Sequence, residues 1–361
     1  MESLKIFTVY HKPQEIYKES CYFPIFAGYE NWGEEFRKNG AKFPARIEQD
    51  AEVLKDNEGS NISSLNSELN EFTAIYYVWK NFESIGNPDI VGFTHYRRYF
   101  IFNEVKPLPL NEWIQGSLCY RFPSYFSAKE FLAAKDCLDL FTKGYDCLTT
   151  INFDARLNPD NVGKKINSCK DLFYSIAKFD PKIFDKFEDE VVTSHPEMAI
   201  ELKDIKNKPS HRMFNMFVMR KELFFEYCEF VFPILFKLQK KNGHNSEKDL
   251  KRAPGYLGEY LTSMFINYKV RTGNLRVKEL RTCFLDYVPD QSESGSKSGL
   301  ALYFRLIFFT LTYLISFGKI IKFDRLAKIR YELSALRKNW FSSFYIFFVR
   351  KALLKISQIF T

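Results

Sequence analysis

The chain has 361 residues, 46% of them hydrophobic and 27% charged, a composition that supplies a sizeable core and excludes global disorder. Its seven cysteines are scattered, with no C-x-x-C pair, which argues against a disulfide framework or a structural zinc site and for a reducing compartment. The net charge of +8 belongs to the end of the chain: between Leu300 and Thr361, eleven Lys and Arg face only Asp324 and Glu332, so the preceding body is nearly neutral and lacks the charge of a nucleic-acid-binding domain.

Leu4–Tyr10 is apolar and β-prone, lacks the long hydrophobic stretch of a signal peptide, and reads as a first strand. A loop follows around Asp56–Ser63, rich in Asn, Gly and Ser. It can present donors to a ribose or a base, or form an ordinary solvent turn. From Asn70 to Phe82, Leu69, Phe72, Tyr76 and Trp79 recur at helical spacing, which predicts a helix capped by Ser67. Ile90–Phe93 is a short apolar strand running into His95, Tyr96, Arg97, Arg98, Tyr99 and Phe100. Two guanidiniums at the end of a buried strand are costly to desolvate alone, and strand ends of open α/β sheets are where ligands sit. The pair fits a multiply charged anion such as a diphosphate, or salt bridges at a domain surface. Tyr145–Thr150 and Phe214–Met219 read as further strands, Arg220–Lys240 and Gly255–Tyr268 as helices, with a late strand approached by Val270–Val277. Alternating strands and helices predict an α/β domain.

The Ser/Gly-rich segment 291–299 is a linker between that domain, residues 1–290, and residues 300–361. Leu300–Ile315 and Trp340–Val349 are apolar and aromatic, but Arg305 interrupts the first and the second is too short to span a bilayer. With basic residues between them they describe an amphipathic helical tail lying on an anionic membrane surface, or a helical subdomain packed on the body.

Asp56-Asn57-x-Gly59-x-Asn61-Ile62-Ser63, Leu69–Ala74, Trp79-Lys80-Asn81, His95–Phe100, Phe214–Leu223 and Gly255–Leu261, in that order, resemble the DUF4422 family of bacterial glycosyltransferases from capsule and surface-polysaccharide clusters. The resemblance spans residues 4–285 and leaves the tail outside. It implies a GT-A-like (Rossmann-like) mixed sheet flanked by helices. It also implies a nucleotide-sugar donor, a UDP-linked hexose such as UDP-galactofuranose, and a lipid-linked oligosaccharide acceptor in capsule, exopolysaccharide or O-antigen assembly. On this basis His11, Lys12, Asp56, Asn61, Tyr96, Arg97 and Arg98 are expected to bind the donor. GT-A enzymes usually hold a divalent metal on the diphosphate with a D-x-D motif. Here His95–Arg98 occupies its place, and Asp56-x-Glu58 and Glu188-x-Glu190 are the nearest substitutes. No cofactor is therefore expected, with Mn or Mg as the alternative, and Arg97 and Arg98 are expected to neutralise the leaving diphosphate.

An inverting transfer needs a general base on the acceptor hydroxyl; a retaining one needs none in that place. Glu259, an acid in apolar surroundings, is the first candidate, with an ion pair to Arg252 as its other reading. Asp146 is a second candidate. His95 contacts a phosphate or the acceptor, or is a structural histidine. His211, Arg212 and Asn215 are expected to line the acceptor pocket. The expected location is the cytoplasmic face of the bacterial inner membrane, through residues 300–361. The competing function is a non-catalytic, membrane-attached protein that binds sugar nucleotides or acts as a scaffold.

Overall fold

The structure, a computed structural model, describes residues 2–11, 20–31, 52–103, 111–114, 117–122, 128–158, 164–175, 181–242, 252–273 and 275–285, with isolated positions between them. Lys12, the 291–299 linker and the 300–361 tail lie outside the described residues. In chain order the strands are β1 (Leu4–Tyr10), β2 (Tyr22–Phe26), β3 (Leu54–Lys55), β4 (Ile90–His95), β5 (Arg98–Phe100), β6 (Asn111–Ile114), β7 (Ser117–Phe122), β8 (Cys147–Thr150), β9 (Phe153–Asp154), β10 (Ser210–His211), β11 (Phe217–Arg220), β12 (Val277–Leu280) and β13 (Thr282–Leu285). The helices are α1 (Asn66–Leu69), α2 (Phe72–Lys80), α3 (Ala134–Thr142), α4 (Cys169–Ser175), α5 (Pro181–Ser194), α6 (Ala199–Asn207), α7 (Lys221–Asn242) and α8 (Ala253–Arg271).

β1 and β4 form the centre of a mixed, mainly parallel sheet, paired in parallel from Leu4↔Ile90 to Val9↔His95. β2 and then β3 continue in parallel on the β1 side. On the other side β11 is antiparallel to β4, and β8 and β12 follow, parallel to each other. β5 folds back from the end of β4 at the His95↔Arg98 pair and leads into β13, β7 and β6. Side chains alternate between two cores, as the two-residue period of a strand requires. Phe7, Val9, Val91, Phe93, Phe217 and Met219 enter the larger one with α2, α7 and α8; Ile6, Ile90, Leu148 and Val218 enter the other with α3. Burial on both faces explains why these strands read as continuous apolar runs. Gly92 is needed inside β4, because a Cβ there would sit 2.7 Å from Val218 Cγ2 and 3.0 Å from the Phe217 carbonyl.

The helix predicted over 70–82 is α2, and the separate short helix α1 precedes it. Asn70 takes φ 51° and ψ −132°, outside the helical region, and ends α1; Asn66 Nδ2 donates to its carbonyl at 2.6 Å. Ser67 falls inside α1 and caps no helix. The break sets Glu71 at the start of α2. All seven cysteines are buried free thiols. Among the described residues no helix is long and apolar enough to cross a membrane.

Candidate active site

Because β1 and β4 are parallel, Tyr10 and His95 leave the sheet at the same end. β11 is antiparallel, so the residues that precede it, Phe214 and Asn215, arrive at that end as well. The strand predicted from Phe214 begins only at Phe217, since Phe214 and Asn215 both have positive φ, 74° and 48°. This turn is the hub of the site. Its Phe214 carbonyl lies 2.6 Å from His95 Nε2, and its Phe214 ring lies 4.1 Å from the Arg98 guanidinium. Asn215 Nδ2 donates to Glu71 Oε1 at 2.7 Å, and Asn215 Oδ1 accepts from the Thr262 hydroxyl at 2.9 Å.

Two carboxylates meet here. Burial pushes the Glu71 carboxyl above the usual range, and the Glu259 charge adds to this, against His95 and the Asn215 hydrogen bond. Glu259, on α8, faces His211 Nε2 at 3.7 Å. Arg252 does not pair with it; its Nε donates to Asn70 Oδ1 at 3.0 Å. His211 is 4% exposed. Burial opposes its protonation, but Cys169, whose Sγ is 3.8 Å from Nδ1, and Glu259 outweigh burial and raise the imidazole to about 10. Arg98 is 8% exposed, with the Phe284 ring 5.4 Å from its guanidinium on β13. Burial lowers its pKa, while Cys119, Glu259 and Tyr96 act in the opposite sense. An arginine held between two rings is fixed in orientation, which favours it for anion recognition over a mobile lysine.

Other predicted residues fall elsewhere. His11 is exposed and sits edge-on to Tyr96 at 4.9 Å, and Arg97 packs 5.1 Å over the Tyr96 ring; together they rim the ends of β1 and β4. Asp56 is fully buried, and its carboxylate accepts from Gly28 N at 2.7 Å, Tyr29 N at 3.0 Å and the Ser63 hydroxyl at 2.5 Å. It braces the end of β2 against the approach to α1. Asn61 closes its own loop, donating to the Asn57 and Gly59 carbonyls at 3.0 and 3.1 Å. The side chains of both are thus committed to the protein.

Three expectations are corrected by position or partner. Asp146 precedes β8, and the shared Met219 register sets it level with the beginning of β4, at the opposite edge of the sheet from His95. It accepts from Arg276 N at 3.0 Å and lies 3.5 Å from Arg220 Nε. Arg212, expected beside the acceptor, gives its guanidinium to Asn267 Oδ1 at 2.5 Å and Glu279 Oε1 at 2.9 Å. Asn215, expected there too, is 2% exposed with both ends of its amide engaged.

Glu71 is the site residue that patterning missed. It hid in a stretch read as an ordinary amphipathic helix, and only the helix break at Asn70 gives it a separate role. Thr262 was likewise missed, one helical turn beyond Glu259. Among the described residues no group of three or more His, Cys, Asp or Glu gathers to hold a metal ion.

The family described as Domain of unknown function (DUF4422) matches residues 5–270. A solved structure, the WbbM bifunctional glycosyltransferase in its apo form, is similar with a TM-score of 0.64 at 26% sequence identity; the match covers 79% of this chain and 45% of that one. This chain therefore spans less than half of that protein's length. No curated protein matches.

Proposed function

The chain belongs to the DUF4422 family, and we propose that it is a glycosyltransferase moving a hexose from a nucleotide-diphosphate donor to a lipid-linked oligosaccharide. The observation that carries this reading is the convergence of Glu71, His95, Arg98 and Glu259 at the carboxyl ends of β1 and β4, where open α/β sheets bind ligands. The fold around them is similar to that of a glycosyltransferase.

In this mechanism Glu259 takes the proton from the acceptor hydroxyl as its oxygen bonds to the sugar's anomeric carbon. The bond from that carbon to the diphosphate breaks, and Arg97 and Arg98 neutralise the charge that grows on the leaving group. His211 Nε2, 3.7 Å from Glu259 Oε2, holds that carboxylate in place on α8. The donor is a UDP-linked hexose, with galactofuranose first in line, and the clamp works without a divalent cation. The basic tail holds the protein on an anionic membrane surface, where a lipid-linked acceptor is met at raised effective concentration. These finer assignments rest on the sequence: the missing D-x-D, the family motifs and the tail composition.

The test is acceptor-dependent nucleotide release by the purified full-length chain across a panel of nucleotide hexoses. Transfer of one of them supports the reading. Absence of nucleotide binding, hydrolysis and transfer across the panel leaves the scaffold function instead.

A further inference from the structure

Phe214 and Asn215 are consecutive non-glycine residues at positive φ, a conformation that persists only where neighbouring contacts over-determine it. Each contact has a direction. A carbonyl oxygen only accepts, so at 2.6 Å from Phe214 O the His95 Nε2 carries the hydrogen. In the neutral ring Nδ1 is then the bare, proton-accepting nitrogen. The Thr262 hydroxyl lies 2.9 Å from both Asn215 Oδ1 and the Gly258 carbonyl, and the Asn215 amide nitrogen donates to Glu71 Oε1 at 2.7 Å. The Tyr227 hydroxyl, 2.8 Å from Thr262 Oγ1, completes the chain by donating to that oxygen. One turn thus orients two ionisable side chains, one through its backbone and one through its amide.

We propose that the Phe214–Asn215 turn is a positioning element that sets His95 and Glu71 as one unit. His95 is locked with Nε2 protonated and Nδ1 able to accept. Glu71 is locked with Oε1 tied to the Asn215 amide. The kinetic consequence rests on the transferase reading above; the structural one does not.

The test uses the full-length chain labelled with nitrogen-15, in which long-range proton–nitrogen spectra report each histidine's protonated nitrogen, and His95→Gln assigns the His95 signals. The expected result is a protonated Nε2 on His95; a ring protonated only on Nδ1 overturns the proposal. Asn215→Gly keeps the Phe214 carbonyl and adopts positive φ without strain, so it removes the amide alone. It is expected to retain the His95 tautomer, with KM for the donor changed by less than about twofold and kcat lowered about 100-fold. Asn215→Asp, which sets an acceptor against Glu71, is expected to lose as much. A kcat for Asn215→Gly within about twofold of the parent overturns the positioning role. If the parent chain transfers no sugar, the transferase reading fails alone, and the tautomer still decides the proposal.

Discussion

Gly258 and Phe72 are in such close contact that a Cβ on Gly258 would lie 2.2 Å from the ring. Gly255 makes the same kind of approach to Asn70, at 2.1 Å from its side-chain nitrogen. These two glycines let α8 lie directly on the start of α2, and that contact brings Glu259 within electrostatic reach of Glu71. On an exposed helix Gly→Ala stabilises by about 1 kcal/mol. Here the methyl has no room, so Gly258→Ala is expected to lower stability by about 1–3 kcal/mol and to reduce transfer. Thermal denaturation checks this; an unchanged or raised Tm would show that α8 is not seated on Phe72.

Glu71 is expected to trade stability for function. Its carboxyl is raised from 4.5, first by burial and then by Glu259. The folded state therefore holds its proton more tightly than the unfolded chain, and the resulting stability is complete below pH 4.5 and lost as pH rises through the raised value. Glu71→Gln keeps an oxygen for Asn215 and removes the buried charge. The variant is expected to be the more stable protein at pH 7, with the advantage vanishing below pH 4.5, while kcat/KM falls about 100-fold or more. Denaturant midpoints across pH, beside transfer rates, check both halves.

His211 carries the opposite chemistry with the same sign. Burial disfavours its charge, but Cys169 and Glu259 raise it from 6.5 to about 10. The stability from the imidazolium is complete below pH 6.5 and is lost as pH rises through about 10. His211→Gln is expected to be less stable than the parent at pH 6.5, with the difference closing toward pH 10. A difference that stays constant over this range would mean that His211 is neutral in the folded protein.

Asp146 is expected to be dispensable for chemistry. It sits at the far edge of the sheet and shares Arg220 with Glu2. Asp146→Asn is expected to leave kcat/KM within about twofold and to cost about 1 kcal/mol, as a half-buried surface ion pair does. A 100-fold loss of activity would return it to the catalytic group.

The strands that enter both cores were legible because burial on two faces leaves an uninterrupted apolar run: β1 matches Leu4–Tyr10 as read, and β4 extends the reading of Ile90–Phe93 to His95. The long helices α7 and α8 were legible from their length. The break at Asn70 and the turn at Phe214–Asn215 were not, because both depend on distant partners: Arg252 and Gly255 for the first, His95, Arg98, Glu71 and Thr262 for the second. The same holds for the site. Arg98 and Glu259 announced themselves as charges in apolar surroundings, and His95 and His211 by their places beside Arg97–Arg98 and Phe214–Asn215. Glu71 did not, since a glutamate near a helix start is ordinary until the fold sets a second carboxylate against it. Asp56 drew notice from its loop and family motif and Arg212 from its place beside His211, and both side chains hydrogen-bond to other protein groups.

In the proposed reaction Glu71, His95, Arg98 and Glu259 form the site of a metal-independent sugar transfer. The most direct measurement is UDP release and sugar transfer by the full-length chain from a UDP-hexose to a lipid-linked oligosaccharide with a chelator present, comparing the parent with Arg98→Ala and Glu259→Gln. Undiminished transfer by the parent in chelator and a loss of about 100-fold or more in each variant are expected. Transfer abolished by the chelator and restored by Mn or Mg, or equal rates in parent and variants, would contradict this reading.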